Sequence, residues 1–371
     1  MGKRRWMIVL GCWLAGVGAL RSTEGGERAT LRDCYRACGK ECGTTMMPKG
    51  LDDEAYRQIL AQQFSLVVPD YGMYMSDLQP RRGVWDFQCA DRIVEFARTH
   101  QLRIRGHVLV YDFPTSRRAE KWTPTPRWVY DGNYSRDEMI KIMTDHIETV
   151  MRHYRDRISQ WIVVNEAVGN YLPGQMEDNI WLKTVGKDYV DLAFQKARQV
   201  DPNAELIIND YGAEYVGQWS CGPFKANSFY EFVRQLRQRG VPVDAVGLQF
   251  HLVVGLDNPN AERIEKNFAR FHALGVKVYV TELDVRIPAP VTEQKLAEQA
   301  RLYSLVMNTA LRSPSCAGLT LWGYTDKYSW IDTLNAFPGY VNACLFDADL
   351  RPKSFFLSLV RNLESTSRAV R

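Results

Sequence analysis

The feature that most constrains the fold of this chain is a regular alternation of short apolar runs with longer amphipathic segments. Seven runs have the length and composition of buried strands: Phe64–Val68, Arg103–Val110, Trp161–Asn165, Leu206–Asn209, Ala245–Phe250, Lys277–Thr281 and Gly318–Trp322. Near-continuous apolar strands that alternate with helices are typical of a parallel sheet covered by helices. A candidate first strand near Cys42–Met47 makes eight, and eight such units predict an α/β fold, a (β/α)8 TIM barrel.

The segments between these runs have helical periodicity. Apolar residues recur at three- and four-residue steps from Met139 to Tyr154, and again from Tyr189 to Val200. No Pro/Ser-rich linker or low-complexity tract divides the barrel region. We therefore expect one domain over residues 31–363.

The first residues resemble an export signal. Lys3, Arg4 and Arg5 form a basic head, and Trp6–Leu20 is an uncharged apolar run of 15 residues, which is shorter than a membrane span. We expect residues 1–23 to be a cleaved signal peptide and the protein to be secreted, with no membrane partner afterwards. An uncleaved membrane anchor is the alternative.

Charge and motif content narrow the expected partners. The formal charge is +4, from 47 basic and 43 acidic residues, so the composition does not favour nucleic acid or an anionic membrane as a partner. The six His of the chain form no metal-ligand motif. We expect a monomer that needs neither a metal nor another cofactor.

The cysteines predict disulfide pairing of an exported protein. Of eight Cys, Cys12 would leave with the signal, and the odd number that remains leaves at least one thiol unpaired. Cys34, Cys38 and Cys42 are four residues apart and could share one helix face. Because no nearby His completes a zinc pattern, structural pairing is favoured over metal binding.

Acidic residues follow two of the predicted strands at the point where each strand ends. Trp161–Val164 leads into Asn165 and Glu166, and Lys277–Val280 leads into Thr281 and Glu282. In a barrel these ends share one face, and strands three steps apart face each other across its mouth. Glycoside hydrolysis needs two such carboxyl groups, and a separation of roughly 5 Å implies a covalent intermediate and retained stereochemistry. The alternative is a pair of loop acids with salt bridges to Arg.

Six motifs at consecutive strand ends, in order along nearly the whole mature chain, resemble glycoside hydrolase family 10, which contains mainly endo-1,4-β-xylanases. They are Arg105-Gly106-His107-Val108-Leu109-Val110, Val163-Val164-Asn165-Glu166-Ala167, Asn209-Asp210-Tyr211, Gln249-Phe250-His251-Leu252, Thr281-Glu282-Leu283-Asp284-Val285 and Trp322-Gly323-Tyr324-Thr325-Asp326-Lys327-Tyr328-Ser329-Trp330. The resemblance implies a single catalytic domain of the retaining type, with a β-1,4-linked polysaccharide as partner.

The resemblance also implies residue roles in catalysis. Glu166 is similar to the general acid that protonates the leaving oxygen and then activates water, and Glu282 to the nucleophile. Asn165 is expected to bind the sugar 2-hydroxyl. His251 is expected to hold Glu282, with Asp284 orienting the imidazole.

Further residues are implied to line the site around the sugar at the cleavage point. His107 and Gln249 are expected to contact this sugar, and Trp322 and Trp330 to form apolar walls around it. Each of these could singly be a core residue. Asn209 and Tyr211 could merely pack and brace the barrel rim, and neither is counted among the catalytic residues.

The chain departs from the family pattern in two places next to the cleavage point. Where the family usually has Pro-Glu-Asn-x-Met-Lys-Trp, this chain has Pro69-Asp70-Tyr71-Gly72-Met73-Tyr74-Met75, and a frequent Trp-His-Ser-Gln run is replaced by Tyr111-Asp112-Phe113-Pro114. Asp70, Tyr74 and Tyr111 are expected to line the neighbouring subsite on the non-reducing side. Loss of a charged hydrogen bond there is worth about 1.5–3 kcal/mol, enough to change specificity.

Several functions stay open at this level. The favoured one is a secreted retaining endo-1,4-β-xylanase. The same mechanism with altered specificity, for decorated xylan or another β-1,4-glycan, is the alternative. A non-catalytic carbohydrate-binding protein is disfavoured because Glu166, Glu282, His251 and Asp284 are all present. A metal-dependent hydrolase is disfavoured by the lack of a ligand motif.

Overall fold

Ten strands are present in the described part of the chain, which is residues 29–117, 122–170, 172–217, 222, 224–333 and 336–370 of a computed structural model. In chain order they are β1 Glu41–Met46, β2 Leu66–Pro69, β3 Arg103–Val110, β4 Gln160–Asn165, β5 Glu205–Asp210, β6 Ala245–Leu248, β7 His251–Val253, β8 Lys277–Pro288, β9 Cys316–Leu321 and β10 Tyr340–Val341.

Eight of these strands form a closed parallel ring. They are hydrogen-bonded in the order β1-β2-β3-β4-β5-β6-β8-β9, and β9 pairs back onto β1. Almost every residue of these strands is buried up to the barrel rim, as expected for strands covered on both faces. The predicted (β/α)8 barrel and its single domain are confirmed.

Helices surround the ring and fill its loops. In chain order they are α1 Leu31–Arg36, α2 Glu54–Gln63, α3 Met75–Leu78, α4 Gln88–Thr99, α5 Arg127–Asp131, α6 Arg136–His153, α7 Ile180–Thr184, α8 Tyr189–Val200, α9 Lys225–Gln238, α10 Ala261–His272, α11 Glu293–Arg312, α12 Trp330–Thr333 and α13 Phe356–Val370. The two helices predicted from periodicity are α6 and α8.

The predicted strands differ from the observed ones mainly at their ends. The largest difference is in β8, which was expected to end at Thr281 but continues to Pro288. It continues because its extension pairs with β7 on one side and with β10 on the other. Glu282 therefore lies inside a strand that extends beyond the barrel rim, rather than in a loop.

The end of the barrel away from the strand carboxyl ends is filled around a buried guanidinium. Arg105, which is 1% exposed, donates hydrogen bonds to Gln160 (3.3 Å), Thr320 (3.2 Å) and Glu41 (3.3 Å). Its guanidinium carbon lies 4.5 Å from the centre of the Tyr279 ring. This packing fills the barrel floor, at the opposite end from the carboxyl ends of the strands.

The cysteine predictions do not hold in the described part of the chain. No disulfide forms there, since each of the described cysteines is free: Cys34, Cys38, Cys42, Cys89, Cys316 and Cys344. The first three do not share a helix face, because α1 ends at Arg36 and Cys42 lies in β1. Cys221 and the predicted signal peptide at residues 1–23 lie outside the described residues.

Among the described residues, no helix is both long enough and apolar enough to span a bilayer.

Candidate active site

Glu166 lies directly after β4 at the barrel mouth. Its backbone has a φ of 55°, the left-handed region that residues with a Cβ rarely adopt and that clusters at functional sites. Its Oε1 accepts hydrogen bonds from Asn165 Nδ2 (3.2 Å) and Gln249 Nε2 (3.1 Å), and its Oε2 accepts one from the Tyr111 hydroxyl (2.9 Å). Neighbouring strands therefore fix both carboxyl oxygens.

The surroundings of Glu166 favour its protonated form. Burial raises the pKa of Glu166, and the negative charges of Asp210 and, to a smaller extent, Glu282 raise it further. The hydrogen bonds from Gln249 and Tyr111 oppose this change but do not cancel it, so the pKa is about 7. This carboxyl can therefore give up and take back a proton near neutral pH.

Glu282, which is 4% exposed, lies on β8 and is surrounded by donors. Asn209 Nδ2 donates to its Oε1 at 2.6 Å, and His251 Nε2 lies 3.1 Å from its Oε2. A carboxylate removed from water needs such partners to remain charged. These contacts therefore stabilise negative charge on Glu282.

His251 is held between two carboxylates. Its Nδ1 lies 3.0 Å from Asp284 Oδ2, which also accepts a hydrogen bond from Trp330 Nε1 at 2.8 Å. Burial alone would lower the pKa of His251, but Asp284 and then Glu282 outweigh it and raise the pKa to about 10. His251 is therefore an imidazolium that donates to both acids.

Two asparagines connect the carboxyl groups of Glu166 and Glu282. Asn209 Nδ2 donates both to Glu282 and to Asn165 Oδ1 (2.8 Å), and Asn165 donates to Glu166. Thr281 donates to Asn209 Oδ1 at 2.6 Å, which fixes the orientation of that amide. The two acids lie at opposite ends of one hydrogen-bonded path across the mouth.

His107 forms part of the wall of the site. It is 2% exposed, its Nε2 lies 3.4 Å from the Tyr74 hydroxyl, and its ring makes an edge contact with Trp322 at 5.1 Å. Burial lowers the pKa of His107 to about 4, so the ring is neutral at neutral pH. Its Nδ1 has no hydrogen-bond partner among the described residues.

The side of the site formed after β2 and β3 is aromatic. The Tyr71, Tyr74 and Trp122 rings contact one another edge-on, with centroids 5.1–5.8 Å apart. Tyr111 lies 6.3 Å from Tyr74. Asp70 is the buried acid of this side, and burial and the charge of Glu282 raise its pKa to about 7.

All of the site residues predicted from the sequence therefore meet at this one mouth. The contacts above place Glu166, Glu282, Asn165, His107, Gln249, His251, Asp284, Trp322, Trp330, Tyr111 and Tyr74 in a single connected cluster, and buried Asp70 lies close enough for the charge of Glu282 to raise its pKa. The described residues contain no group of three or more His, Cys, Asp or Glu placed to hold a metal ion. The arrangement offers acid–base chemistry by one carboxyl and nucleophilic or electrostatic chemistry by the other.

Comparison with known proteins identifies the family. The family model for glycosyl hydrolase family 10 matches residues 30–362. The chain belongs to glycoside hydrolase family 10. It is 32% identical to endo-1,4-beta-xylanase B of Thermotoga neapolitana over 84% of both chains, and 33% identical to an endo-1,4-beta-xylanase of Agaricus bisporus over 88% of this chain and 91% of the other.

Solved structures agree with this assignment. The crystal structure of xylanase 10B from Thermotoga petrophila RKU-1 in complex with xylobiose superposes on this family 10 chain with a TM-score of 0.83 at 30% identity. The match covers 93% of this chain and 100% of that one. The chain is therefore a glycoside hydrolase, as its strand-end motifs predicted.

Asn209 is a residue of this family 10 site whose contacts the sequence reasoning missed. It was expected only to brace the rim, yet it binds Glu282 and Asn165 directly. Gly247 on the next strand leaves space for it, because a Cβ there would lie 2.1 Å from Asn209 Oδ1. The available signal was an amide residue near the end of β5, which pairs in register with Asn165 on β4.

The buried pair Asp210–Lys225 was also missed. Both side chains are fully buried, and Lys225 Nζ lies 2.8 Å from Asp210 Oδ1. Asp210 is the charge that raises the pKa of Glu166 most. The position of Asp210 next to Asn209 could have pointed to the site. Lys225 is the first residue of α9, and no sequence pattern connects it with Asp210.

We predict that His251 is charged and His107 neutral at pH 8. The raised pKa of His251 also means that its stabilising contribution is fully present below about pH 6.5 and is lost as the pH rises towards 10. ¹⁵N NMR of the imidazoles, with signals assigned by His251→Asn and His107→Asn, measures both states. A His251 ring that is already neutral at pH 8 would contradict the arrangement.

Proposed function

We propose that this chain is a secreted, retaining endo-1,4-β-xylanase with Glu166 as general acid/base and Glu282 as nucleophile. One observation carries the assignment of roles. The two carboxyl groups lie on one hydrogen-bonded path, yet burial and the negative charge of Asp210 raise the pKa of Glu166, whereas Glu282 lies against the charged imidazole of His251 and the amide of Asn209. When the surroundings of two acids differ in this way, one acid holds a proton that it can donate and the other carries the charge.

In the first step, Glu282 attacks the anomeric carbon while Glu166 gives its proton to the departing glycosidic oxygen. The bond to the leaving sugar breaks, and a glycosyl ester of Glu282 forms. In the second step, the Glu166 carboxylate takes a proton from water, and the water oxygen replaces Glu282 at the same carbon. Two inversions restore the original configuration, and Glu166 is again protonated.

Asn209 and His251 stabilise charge on Glu282 before attack and again when it leaves. Their donors are fixed by Thr281 and Asp284 and therefore need no reorganisation during the reaction. Asn165 is placed to bind the sugar 2-hydroxyl, a contact that strengthens in the transition state. Fixed dipoles of this kind supply much of the catalytic effect in closed sites.

The walls of the site fit a sugar ring at the cleavage point. Trp322 and Trp330 supply flat apolar faces, while His107 and Gln249 supply polar groups between them. Neutral His107 can either donate to a sugar hydroxyl or accept from one. We assign these four side chains to binding.

The choice of xylan rests on relatives. The curated relatives from Thermotoga neapolitana and Agaricus bisporus are endo-1,4-beta-xylanases, and the Thermotoga petrophila structure holds xylobiose. Secretion is proposed from the basic and apolar pattern of residues 1–23, followed by a polar segment. We propose that the enzyme acts as a monomer.

A second candidate is the same mechanism with a different preference on the non-reducing side. Tyr71, Tyr74 and Trp122 pack against one another where the family resemblance implies polar groups that bind the next sugar. An aromatic surface offers stacking instead of charged hydrogen bonds. Under this second candidate, the preferred substrate is decorated xylan or another β-1,4-glycan.

Replacement of either carboxyl group tests the roles. We predict that Glu282→Ala lowers kcat on xylan by at least about 10⁴-fold, and Glu166→Ala by roughly 10²–10⁴-fold. Glu293→Ala, at the exposed start of α11, is the matched control. ¹H NMR of the first product is expected to show the β-anomer. An initial α-anomer would reject retention, and an active Glu282→Ala enzyme would reject the nucleophile.

The proton donor can be tested by its pH profile. The alkaline limb of kcat/KM for the wild type is expected near pH 7, because Glu166 must be protonated to act as the acid. Tyr111→Phe removes a donor that stabilises the Glu166 carboxylate, so the pKa rises and the limb moves to higher pH. Tyr74→Phe is the control, because its hydroxyl lies against His107. A limb that stays in place in Tyr111→Phe would contradict this coupling.

Substrate choice can be tested by comparing kcat/KM on plain xylan, arabinose-decorated xylan, mannan and β-glucan. We expect the polymers with a xylan backbone to be cleaved fastest, since the residues proposed to bind the sugar at the cleavage point are those of the family. A higher kcat/KM on mannan or β-glucan than on xylan would show that xylan is not the preferred substrate. Higher values on arabinose-decorated than on plain xylan would favour the second candidate.

A further inference from the structure

Arg286 is a cation of the β8 extension that the proposed mechanism does not use. Side chains alternate along a strand, so Arg286 lies on the same face as Glu282 and Asp284. Val285 and Ile287 point the other way and are fully buried. The strand that carries the proposed nucleophile therefore also carries a guanidinium on the same side, four residues further along.

Ring contacts connect Arg286 to the wall of the active site. Its guanidinium carbon lies 3.8 Å from the centre of the Phe337 ring and 5.5 Å from that of Tyr340. Phe337 meets Trp330 edge-on at 5.2 Å, and Trp330 lies 5.0 Å from His251. Arg286 therefore lies near the outer end of β8 and is connected to the Trp330 wall through Phe337.

The charge of Arg286 is poorly compensated. Within the described residues, neither its Nε nor its Nη1 has a hydrogen-bond partner, although both atoms are shielded from water. No carboxylate in this part of the chain lies within ion-pair distance of Arg286, whereas Lys353 is paired with Asp326 and Lys225 with Asp210. A partly desolvated guanidinium without a counter-ion attracts an anion more strongly than a hydrated one.

We propose that Arg286 forms a subsite for the carboxylate of a uronic-acid side group on the xylan chain. This inference rests on the proposed xylanase function and refines its substrate class. A carboxylate is the anion that sugar side groups carry, and a planar guanidinium supported by an aromatic ring is suited to bind it. The aromatic support keeps Arg286 in place before the substrate arrives.

The test compares xylan that carries uronic-acid side groups with the same polymer after chemical reduction of its carboxyl groups. The measured quantity is the ratio of kcat/KM on the acidic polymer to that on the reduced one. We expect a wild-type ratio above one that falls as salt is added, because ions screen the pair. Arg286→Met is expected to lower the ratio about tenfold, and Arg286→Lys to lower it less.

Arg361→Met is the matched control, since it removes the same charge from an exposed position on α13. Its ratio is expected to equal that of the wild type. A wild-type ratio of one or below, or an Arg286→Met ratio equal to that of the wild type, would overturn the proposal. Comparing two polymers within one variant removes the effect of any change in folding.

Calorimetry separates this proposal from the proposed function. The probes are a xylo-oligosaccharide with one uronic-acid group and its carboxyl-reduced form, and binding needs no hydrolysis. If no xylan is cleaved but the acidic probe binds the wild type more tightly than Arg286→Met, the xylanase function fails and the subsite stands. If xylan is cleaved and both probes bind both proteins equally, the subsite fails and the xylanase function stands.

Discussion

The burial of Glu282 is the constraint on which the rest of the active site depends. A carboxylate that is 4% exposed must be compensated or it takes up a proton. His251 and Asn209 provide that compensation, and each of them needs a further partner, Asp284 and Thr281 respectively. One buried charge therefore determines side chains on β5, β7 and β8, and these strands must be in register for the network to close.

The same network gives Glu282 and Glu166 different electrostatic surroundings. Glu282 accepts from a charged imidazolium and an amide, whereas Glu166 lies close to the negative charges of Asp210 and Glu282. Lys225 forms an ion pair with Asp210, and no contact between Lys225 and Glu166 is present among the described residues. Both acids accept hydrogen bonds, so the difference between them comes from the nearby charges: the His251 cation lies against Glu282, whereas the negative charge of Asp210 raises the pKa of Glu166.

The sequence was sufficient for the barrel and for much of the site, for a physical reason. Parallel strands present their carboxyl ends on one face, so a polar residue after an apolar run is located at the mouth wherever it occurs in the chain. Asn209 was placed at the rim in this way, but its hydrogen bond to Glu282 depends on the direction of its side chain. Lys225 follows no strand, so the rule does not place it. The extension of β8 was missed because its partners, β7 and β10, are too short to show a strand pattern.

The network also explains how side chains after β2 can change while the chemistry is kept. Glu166, Glu282, Asn165, Asn209, Gln249 and His251 are bonded to one another, so a change in any one leaves a buried partner unsatisfied. The side chains after β2 reach this network less directly. Tyr74 lies 3.4 Å from His107, and its ring centre lies 6.3 Å from that of Tyr111, which donates to Glu166. Tyr71 and Trp122 contact each other and Tyr74, and Trp122 also contacts Phe113. Substitution there alters the shape of a subsite without breaking the charge balance, so specificity can change while the chemistry is kept.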